Sequence, residues 1–353
     1  MATPATMDAL VFLGEGRQTF LTVPVPDPRP GHVRIKVARA AVCGTDVHKW
    51  RRPAERQPRD EAGHPIISGH EPVGWIDATG PGGDAGDLHV GARVLVAGVF
   101  GCGRCSPCLH GYNTACDRPE GALHSNHHGS NAPFMTAPAR NVFRLPDAVS
   151  FDAAAVLTCA GGTAITVMHE TAATAGETVV VVGLGPVGLC VALMARASGC
   201  RVIGLDVNAD RVGRAIELGV KSFAVGNEDP VELIRAHSDG PGADVVAECA
   251  GTAKARATAL RIARRRGRVA MAGLGDEPDS EPVIAAAIRH DLVIRGIAAT
   301  PLRLLPSLIE SAVHLGFERL ISHRFGLADA AAALDLMAGG RCGKVILDVA
   351  EAP

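Results

Sequence analysis

Residues 179–189 read VVVVGLGPVGL, and they are ordered as strand, glycine turn and helix start. A run of four valines suits a strand covered on both faces, as in a parallel sheet. Gly183, Gly185 and Gly188 then give G-x-G-x-x-G. Gly183 permits the tight turn, Gly185 lets the backbone approach a pyrophosphate, and Gly188 lets the helix pack on the strand. The helix start, with Gly185, Pro186, Val187 and Gly188, turns free N–H groups and the positive dipole end toward the phosphates. Three glycines alone also fit a purely structural turn. The strand before them and the helix after them make the stretch a dinucleotide fingerprint.

Asp206 ends the next strand, RVIGLD (201–206), 18 residues after Gly188. A carboxylate there accepts hydrogen bonds from the adenosine ribose hydroxyls and repels a 2′-phosphate, which favours NAD over NADP. Arg211 either lies against the adenosine or is a solvated helix arginine. Asn208 tolerates either cofactor.

Outward from the fingerprint, helical stretches alternate with short β-branched strands: ETVVVVG (177–183), RVIGLD, GADVVAECAG (242–251), GRVAMAGL (267–274) and LVIRGI (292–297). This rhythm predicts an α/β fold with a doubly wound parallel sheet over residues 161–297. Upstream the character changes. DALVFLG (8–14) and GHVRIKVARAAV (31–42) read as strands, RRPAERQPRDEAGHP (51–65) as a polar, proline-broken loop, and GARVLVAGVF (91–100) as another strand. Near the end come an alanine-rich helix and a last strand, GKVILDV (343–349).

The 353 residues suggest two domains, and 47% hydrophobic residues suffice for sizeable cores. A net charge of −2 leaves no basic footprint for nucleic acid. No apolar run is expected to reach the roughly 20 residues of a membrane span. The start MATPATMDALVF lacks a basic region followed by an apolar stretch, so neither a signal peptide nor a membrane partner is expected. The expected location is the cytoplasm, where thiols stay reduced and clustered cysteines bind metal more often than they pair.

Such a cluster lies in GCGRCSPCLHGYNTAC (101–116). Cys102, Cys105, Cys108 and Cys116 follow the pattern C-x2-C-x2-C-x7-C. Four thiolates close a tetrahedron around zinc and leave no open position, so this site is expected to be structural. Free or disulfide-bonded cysteines are the alternative. A second set is dispersed: Cys43, Thr45, Asp46 and His48 in VCGTDVH, His70 and Glu71 in SGHEPVG, and Cys159 in LTCAGGT. Two thiolates and an imidazole make three ligands with one position open, the layout of a catalytic zinc. Taken singly, each of these residues also fits a buried cysteine or a satisfied histidine.

In that order, CGTDVH, GHEPVGWIDATG, the four-cysteine loop, TCAGGT, VVVVGLGPVGL and VIGLD resemble the zinc-dependent medium-chain dehydrogenase/reductase family, over nearly the whole chain. The resemblance implies a GroES-like, mostly β catalytic domain (1–160 and 298–353) holding both zincs, split around the Rossmann domain. It implies Cys43, His70 and Cys159 as catalytic zinc ligands and Glu71 as an acid able to approach the metal. Asp46 becomes the carboxylate that orients His70, and Lys344 matches a basic position at the pyrophosphate, with a solvated lysine as the alternative. It further implies two zincs per chain, a small-molecule alcohol or ketone substrate, NAD, and a homodimer or homotetramer, with LVIRGI extending the sheet between subunits. A proton would pass from Thr45 through the nicotinamide ribose to His48 and solvent.

The chain departs from the family where an aromatic–acidic stretch is usual. Residues 123–143 read LHSNHHGSNAPFMTAPARNVF. His124, His127 and His128 there make either an exposed polar loop or a rebuilt substrate pocket. Gly98 is expected to widen the pocket and Trp50 to form a wall. Arg51, Arg52, Arg56 and Arg59 either capture an anionic substrate or are neutralised by Glu55, Asp60 and Glu61. Nine Phe, two Trp and one Tyr speak against a large apolar pocket, so the preferred substrate is a polar secondary alcohol: a polyol, sugar or cyclitol. The alternatives are an amino or anionic alcohol (threonine-like or phosphonate-bearing) and a non-catalytic NAD-binding scaffold. Cys190, Cys200, Cys249 and Cys342 read as packing residues.

Overall fold

The computed structural model describes residues 3–83, 86–226, 228–238, 240–275 and 283–350. Two units emerge from the contacts, one of Met1–Cys159 with Thr300–Pro353, the other of Ala160–Ala299. The first is built on a seven-stranded sheet whose central strand is His32–Val42. Its near-alternating valines, isoleucine and alanines are buried on the core side. Pro72–Thr79 pairs antiparallel along one edge of this strand and Lys344–Asp348 along the other. The registers are specific: Ala40 opposes Pro72, and Val42 opposes Val345. The segment leaving the strand at Cys43 is thereby set beside Glu71 and Lys344, the residues adjoining those partners. Register is the means by which three distant stretches of sequence converge.

The second unit carries a six-stranded parallel sheet in the order Lys221–Ala224, Arg201–Asp206, Thr178–Val182, Ala243–Glu248, Ala263–Met271, Val293–Gly296. This is the doubly wound order with its switch point at the strand of four valines. All five residues of Thr178–Val182 are buried, and the core is filled by Val180, Val182, Leu205, Val246, Leu260 and Val269. The GroES-like plus Rossmann-like α/β architecture is therefore present. The edge strand Lys221–Ala224 and the helix Pro230–His237 were not expected. KSFA is too short and too mixed to carry a period of two.

The expectation that no apolar run approaches the length of a membrane span is corrected at one helix. Phe151–Thr171 is helical, and by length and composition alone it passes for a membrane span. Burial within the fold covers 67% of its apolar window, as in a core helix.

Gly188 marks the tightest approach of helix to strand turn. A Cβ there would lie 1.9 Å from the Gly183 carbonyl oxygen. Gly188→Ala must push the helix Pro186–Ala197 off the turn, and it is expected to cost about 1–3 kcal/mol in denaturant unfolding. An unchanged midpoint would show that the helix start has slack the geometry does not reveal.

Candidate active site and metal centres

Cys43 is the N-cap of the helix Gly44–Arg51, and its sulfur accepts the Thr45 N–H at 3.3 Å. Asp46 completes a capping box by accepting the Cys43 backbone N–H at 3.0 Å through Oδ2. Its other oxygen faces His70 Nδ1 at 3.1 Å. The ring's far nitrogen, Nε2, then lies 3.2 Å from Cys43 Sγ and 3.8 Å from Glu71. Cys159 comes from a π-helical turn, Leu157–Gly161, a wide turn often found at functional positions. One ligand atom from each of Cys43, His70, Glu71 and Cys159 falls within 4.8 Å of the others.

The electrostatics suit a cation. The Cys159 thiol donates to Cys43, and with His70 nearby this holds Cys43 well below the ordinary thiol range despite its burial. Cys159 is pushed up by the same hydrogen bond and by burial. Burial works against the His70 imidazolium, but Asp46 and Cys43 raise its pKa well above the usual range. A divalent metal entering this cluster would displace protons from Cys159 and His70. Burial likewise raises Glu71, to about 7, with the Lys344 ammonium acting in the opposite direction.

The structure places Lys344 neither at a surface ready for a pyrophosphate nor in solvent. Its side chain is 0% exposed and its ammonium pairs with the equally buried Glu71. A lysine without access to water needs a counter-charge, and the strand register supplies one. Thr45 is half-buried and His48 exposed, one helical turn apart on the same face.

The divergent histidine stretch is not a simple exposed loop. His124 is 1% exposed, and its Nδ1 lies 3.2 Å from the same Asp46 oxygen that faces His70. His127 packs edge-on to Phe100, and exposed His128 accepts the Ile67 N–H through Nδ1 at 3.2 Å. Sequence reading missed the link from His124 to Asp46; a histidine beside buried Leu123 was the available signal. Trp50 is no pocket wall: it is 6% exposed in the core, and its indole N–H donates to Gln18 at 2.7 Å. Gly98 opens no space either, since a Cβ would lie 3.2 Å from the His70 carbonyl oxygen and 3.6 Å from Leu123. Arg51, Arg52, Arg56 and Arg59 are exposed, and among the described residues none of them forms an ion pair.

The four-cysteine loop is a separate, local centre. None of the ten cysteines forms a disulfide, and the four sulfurs of Cys102, Cys105, Cys108 and Cys116 converge within 4.8 Å. Backbone N–H groups point at them: Cys102 N–H to Cys116 at 3.2 Å, Arg118 N–H to Cys116 at 3.3 Å, and Cys105 N–H to Cys102 at 3.4 Å. The Arg104 and Cys105 N–H groups hold Cys102 down to about 6, whereas burial pushes Cys108 up to about 12. The donor set and its N–H cradle fit zinc. Asn113 fastens the loop by donating to the Val99 carbonyl at 2.8 Å and accepting the Leu302 N–H at 2.9 Å. Of the remaining cysteines, Cys190, Cys200 and Cys342 are buried and Cys249 is half-buried.

In the second unit, Gly183 adopts φ +96°, and a Cβ would lie 2.7 Å from the Ala250 nitrogen. Above Gly185 a Cβ would meet nothing within 4 Å. That open space, at a helix N-terminus with no side-chain cap, fits a phosphate against bare N–H groups. Asp206 is 5% exposed and accepts the Leu184 and Asn208 N–H groups at 2.7 and 2.8 Å. Arg211 approaches it at 3.7 Å, and the Asn208 side chain caps the following helix.

The alcohol dehydrogenase GroES-like domain family matches residues 29–147, and the zinc-binding dehydrogenase family matches residues 186–339. An uncharacterised zinc-type alcohol dehydrogenase-like protein of Escherichia coli K12 is 33% identical over 97% of this chain and 99% of its own length. An L-threonine 3-dehydrogenase of Bacillus velezensis is 32% identical over 93% and 94%. The structure of an alcohol dehydrogenase from Thermus sp. ATN1 superimposes with a TM-score of 0.88 at 28% identity, covering 98% of this chain and all of that one. The chain belongs to the zinc-containing medium-chain alcohol dehydrogenase family. It is a zinc-dependent, NAD(P)-linked alcohol dehydrogenase with a structural four-cysteine zinc site and a catalytic site of cysteine, histidine and glutamate.

The two centres are expected to fail differently. Serine is the better N-cap, so Cys43→Ser keeps the helix Gly44–Arg51 but removes a soft ligand. It is expected to abolish turnover with the melting temperature little changed. Cys105→Ser opens the structural site, so it is expected to release one zinc and lower the melting temperature. Identical behaviour of the two variants in metal content and melting would contradict this division.

Proposed function

We propose that the protein oxidises a polar secondary alcohol (a polyol, sugar or cyclitol) with NAD and reduces the corresponding ketone in reverse. The observation that supports oxidation of an alcohol is the convergence of Cys43, His70 and Cys159 while Glu71 is engaged by Lys344; the preference for a polar one rests on the small number of aromatic residues. Three ligands then leave a coordination position for a substrate hydroxyl. When bound, zinc supplies the Lewis acidity that lowers the pKa of a hydroxyl, and the nicotinamide supplies the hydride acceptor.

The chain's own residues supply the remainder. Asp46 fixes the His70 ring so that Nε2 points to the metal position. The Thr45 hydroxyl takes the substrate proton, and exposed His48 delivers it to water by way of the nicotinamide ribose. Gly183, Gly185, Pro186, Val187 and Gly188 hold the pyrophosphate, and Asp206 the adenosine ribose. Asp206 favours NAD because a 2′-phosphate would meet a carboxylate. Arg211 partly offsets that charge. The edge strand Val293–Gly296, paired on one side within the chain, supports a homodimer or homotetramer.

A second reading, an amino alcohol such as threonine, is favoured by the L-threonine 3-dehydrogenase relative. Exposed Arg51, Arg52 and Arg56 are available to a substrate carboxylate.

Formation of reduced nicotinamide, followed by absorbance over polyols, sugars, cyclitols, simple alcohols and threonine, distinguishes the two. Turnover of a polyol or sugar with NAD above NADP is expected. Faster turnover of threonine would establish the second reading, and no turnover by protein holding two zincs per chain would overturn both. Asp206→Ala is expected to raise the KM for NAD about tenfold, the loss of roughly 1.5 kcal/mol from a hydrogen bond to a charged group. The KM for NADP should change less; equal changes would remove the ribose role.

A further inference from the structure

His124 and the buried Asp46 it contacts take no part in the relay from Thr45 to His48. Asp46 is 2% exposed, and its Oδ1 receives two imidazoles, His70 at 3.1 Å and His124 at 3.2 Å, each through Nδ1. Two rings on one oxygen restrict the carboxylate far more than one does. The Cys43 N–H holds Oδ2 and His70 meets Oδ1; His124 adds a second, independent anchor on Oδ1, so that oxygen stays placed even as the His70 ring moves.

The surroundings of His124 are built to aim it. Its backbone is left-handed, φ 56°, a conformation seldom adopted by residues other than glycine and asparagine. Its carbonyl is held by the Lys49 ammonium, which also donates to Ser125 Oγ at 2.9 Å. The ring packs edge-on against Phe12, with centroids 4.9 Å apart. Among the described residues nothing hydrogen-bonds its Nε2, so the one polar interaction of this buried ring is with Asp46. Leaving a ring nitrogen without a partner costs free energy, and the gain that offsets it must come through Nδ1.

We propose that His124 is a positioning residue for the catalytic zinc. By donating to Asp46 Oδ1, it locks the carboxylate that fixes the orientation and the Nδ1–H tautomer of His70. The lone pair of His70 Nε2 is thereby kept on the metal. This inference rests on the catalytic zinc reading, not on the choice of substrate.

The test is zinc retention by the purified, zinc-loaded full chain against increasing chelator, with turnover measured in parallel. The four-cysteine zinc serves as the internal control. His124→Phe keeps a ring against Phe12 but has no N–H to donate. His124→Gly relieves the left-handed backbone and also lacks the donor. His124→Asn tolerates that backbone and places an amide N–H near the Nδ1 position. Partners of metal ligands typically contribute 10–100-fold to metal affinity. His124→Phe and His124→Gly are therefore expected to release one zinc per chain at about tenfold lower chelator, keeping the other. His124→Asn should stay close to the parent protein.

Retention of both zincs by the Phe and Gly variants at the parent's chelator concentration would overturn the proposal. Release by the Asn variant as easily as by the Gly variant would overturn it too, because ring packing would then be the cause. If the Phe variant loses both zincs through misfolding, the comparison of Asn with Gly still decides. Parent protein holding only the four-cysteine zinc would instead refute the catalytic zinc reading itself.

Discussion

Two carboxylates without access to water, Asp46 and Glu71, impose the main constraint on the first unit. An uncompensated buried charge costs several kcal/mol, so the fold must bring each of them a partner. Glu71 receives the Lys344 ammonium. Asp46 receives the Cys43 N–H, His70 and His124; burial pushes its carboxyl up, but the two imidazoles hold it well below the usual range. The central strand His32–Val42 makes both arrangements possible, because one neighbour starts directly after Glu71 and the other starts at Lys344. A shift of one residue in either register would turn the side chains to the other face and leave a charge buried alone. The same pairing that satisfies the charges brings Cys43 beside His70.

What was legible in the sequence was whatever a short stretch encodes by itself. The four-cysteine loop and the glycine fingerprint are local, and their spacing alone specifies the geometry; the capping helix after Cys43 came only with the structure. The partnership of Lys344 with Glu71 is different in kind. It depends on a strand from the far end of the chain lying beside His32–Val42, and no local pattern announces that neighbour. His124 was singled out as a departure, but its burial against Phe12 could not be read from a stretch rich in Ser, Asn and His. Trp50 and Gly98 show the opposite error. Proximity in sequence to site motifs suggested pocket positions, yet the chain turns Trp50 into the core and closes Gly98 with Leu123.

The second unit follows simpler physics. Its parallel sheet needs both faces covered, which produces strands such as Thr178–Val182 that are apolar throughout. The cofactor region is then defined by what is left out. Gly183 and Gly188 lack side chains because backbone already fills the space, whereas Gly185 lacks one with nothing nearby. Asp206 adds a fixed negative charge, held by the Leu184 N–H from the turn and the Asn208 N–H beyond the strand. Its position is thus set by the backbone of the glycine turn itself.

The two metal centres use opposite strategies. In the four-cysteine loop the ligands lie within one short segment, and backbone N–H groups offset the charge of the sulfurs. Such a site requires little of the rest of the fold and closes on itself. The catalytic cluster draws Cys43, His70 and Cys159 from a helix cap, a strand entry and a π-helical turn, and charged side chains do the balancing. Side-chain compensation takes more of the fold to arrange: Asp46 needs His124, and Glu71 needs Lys344 from the far end of the chain. The four-cysteine loop is balanced by its own backbone and anchored through Asn113.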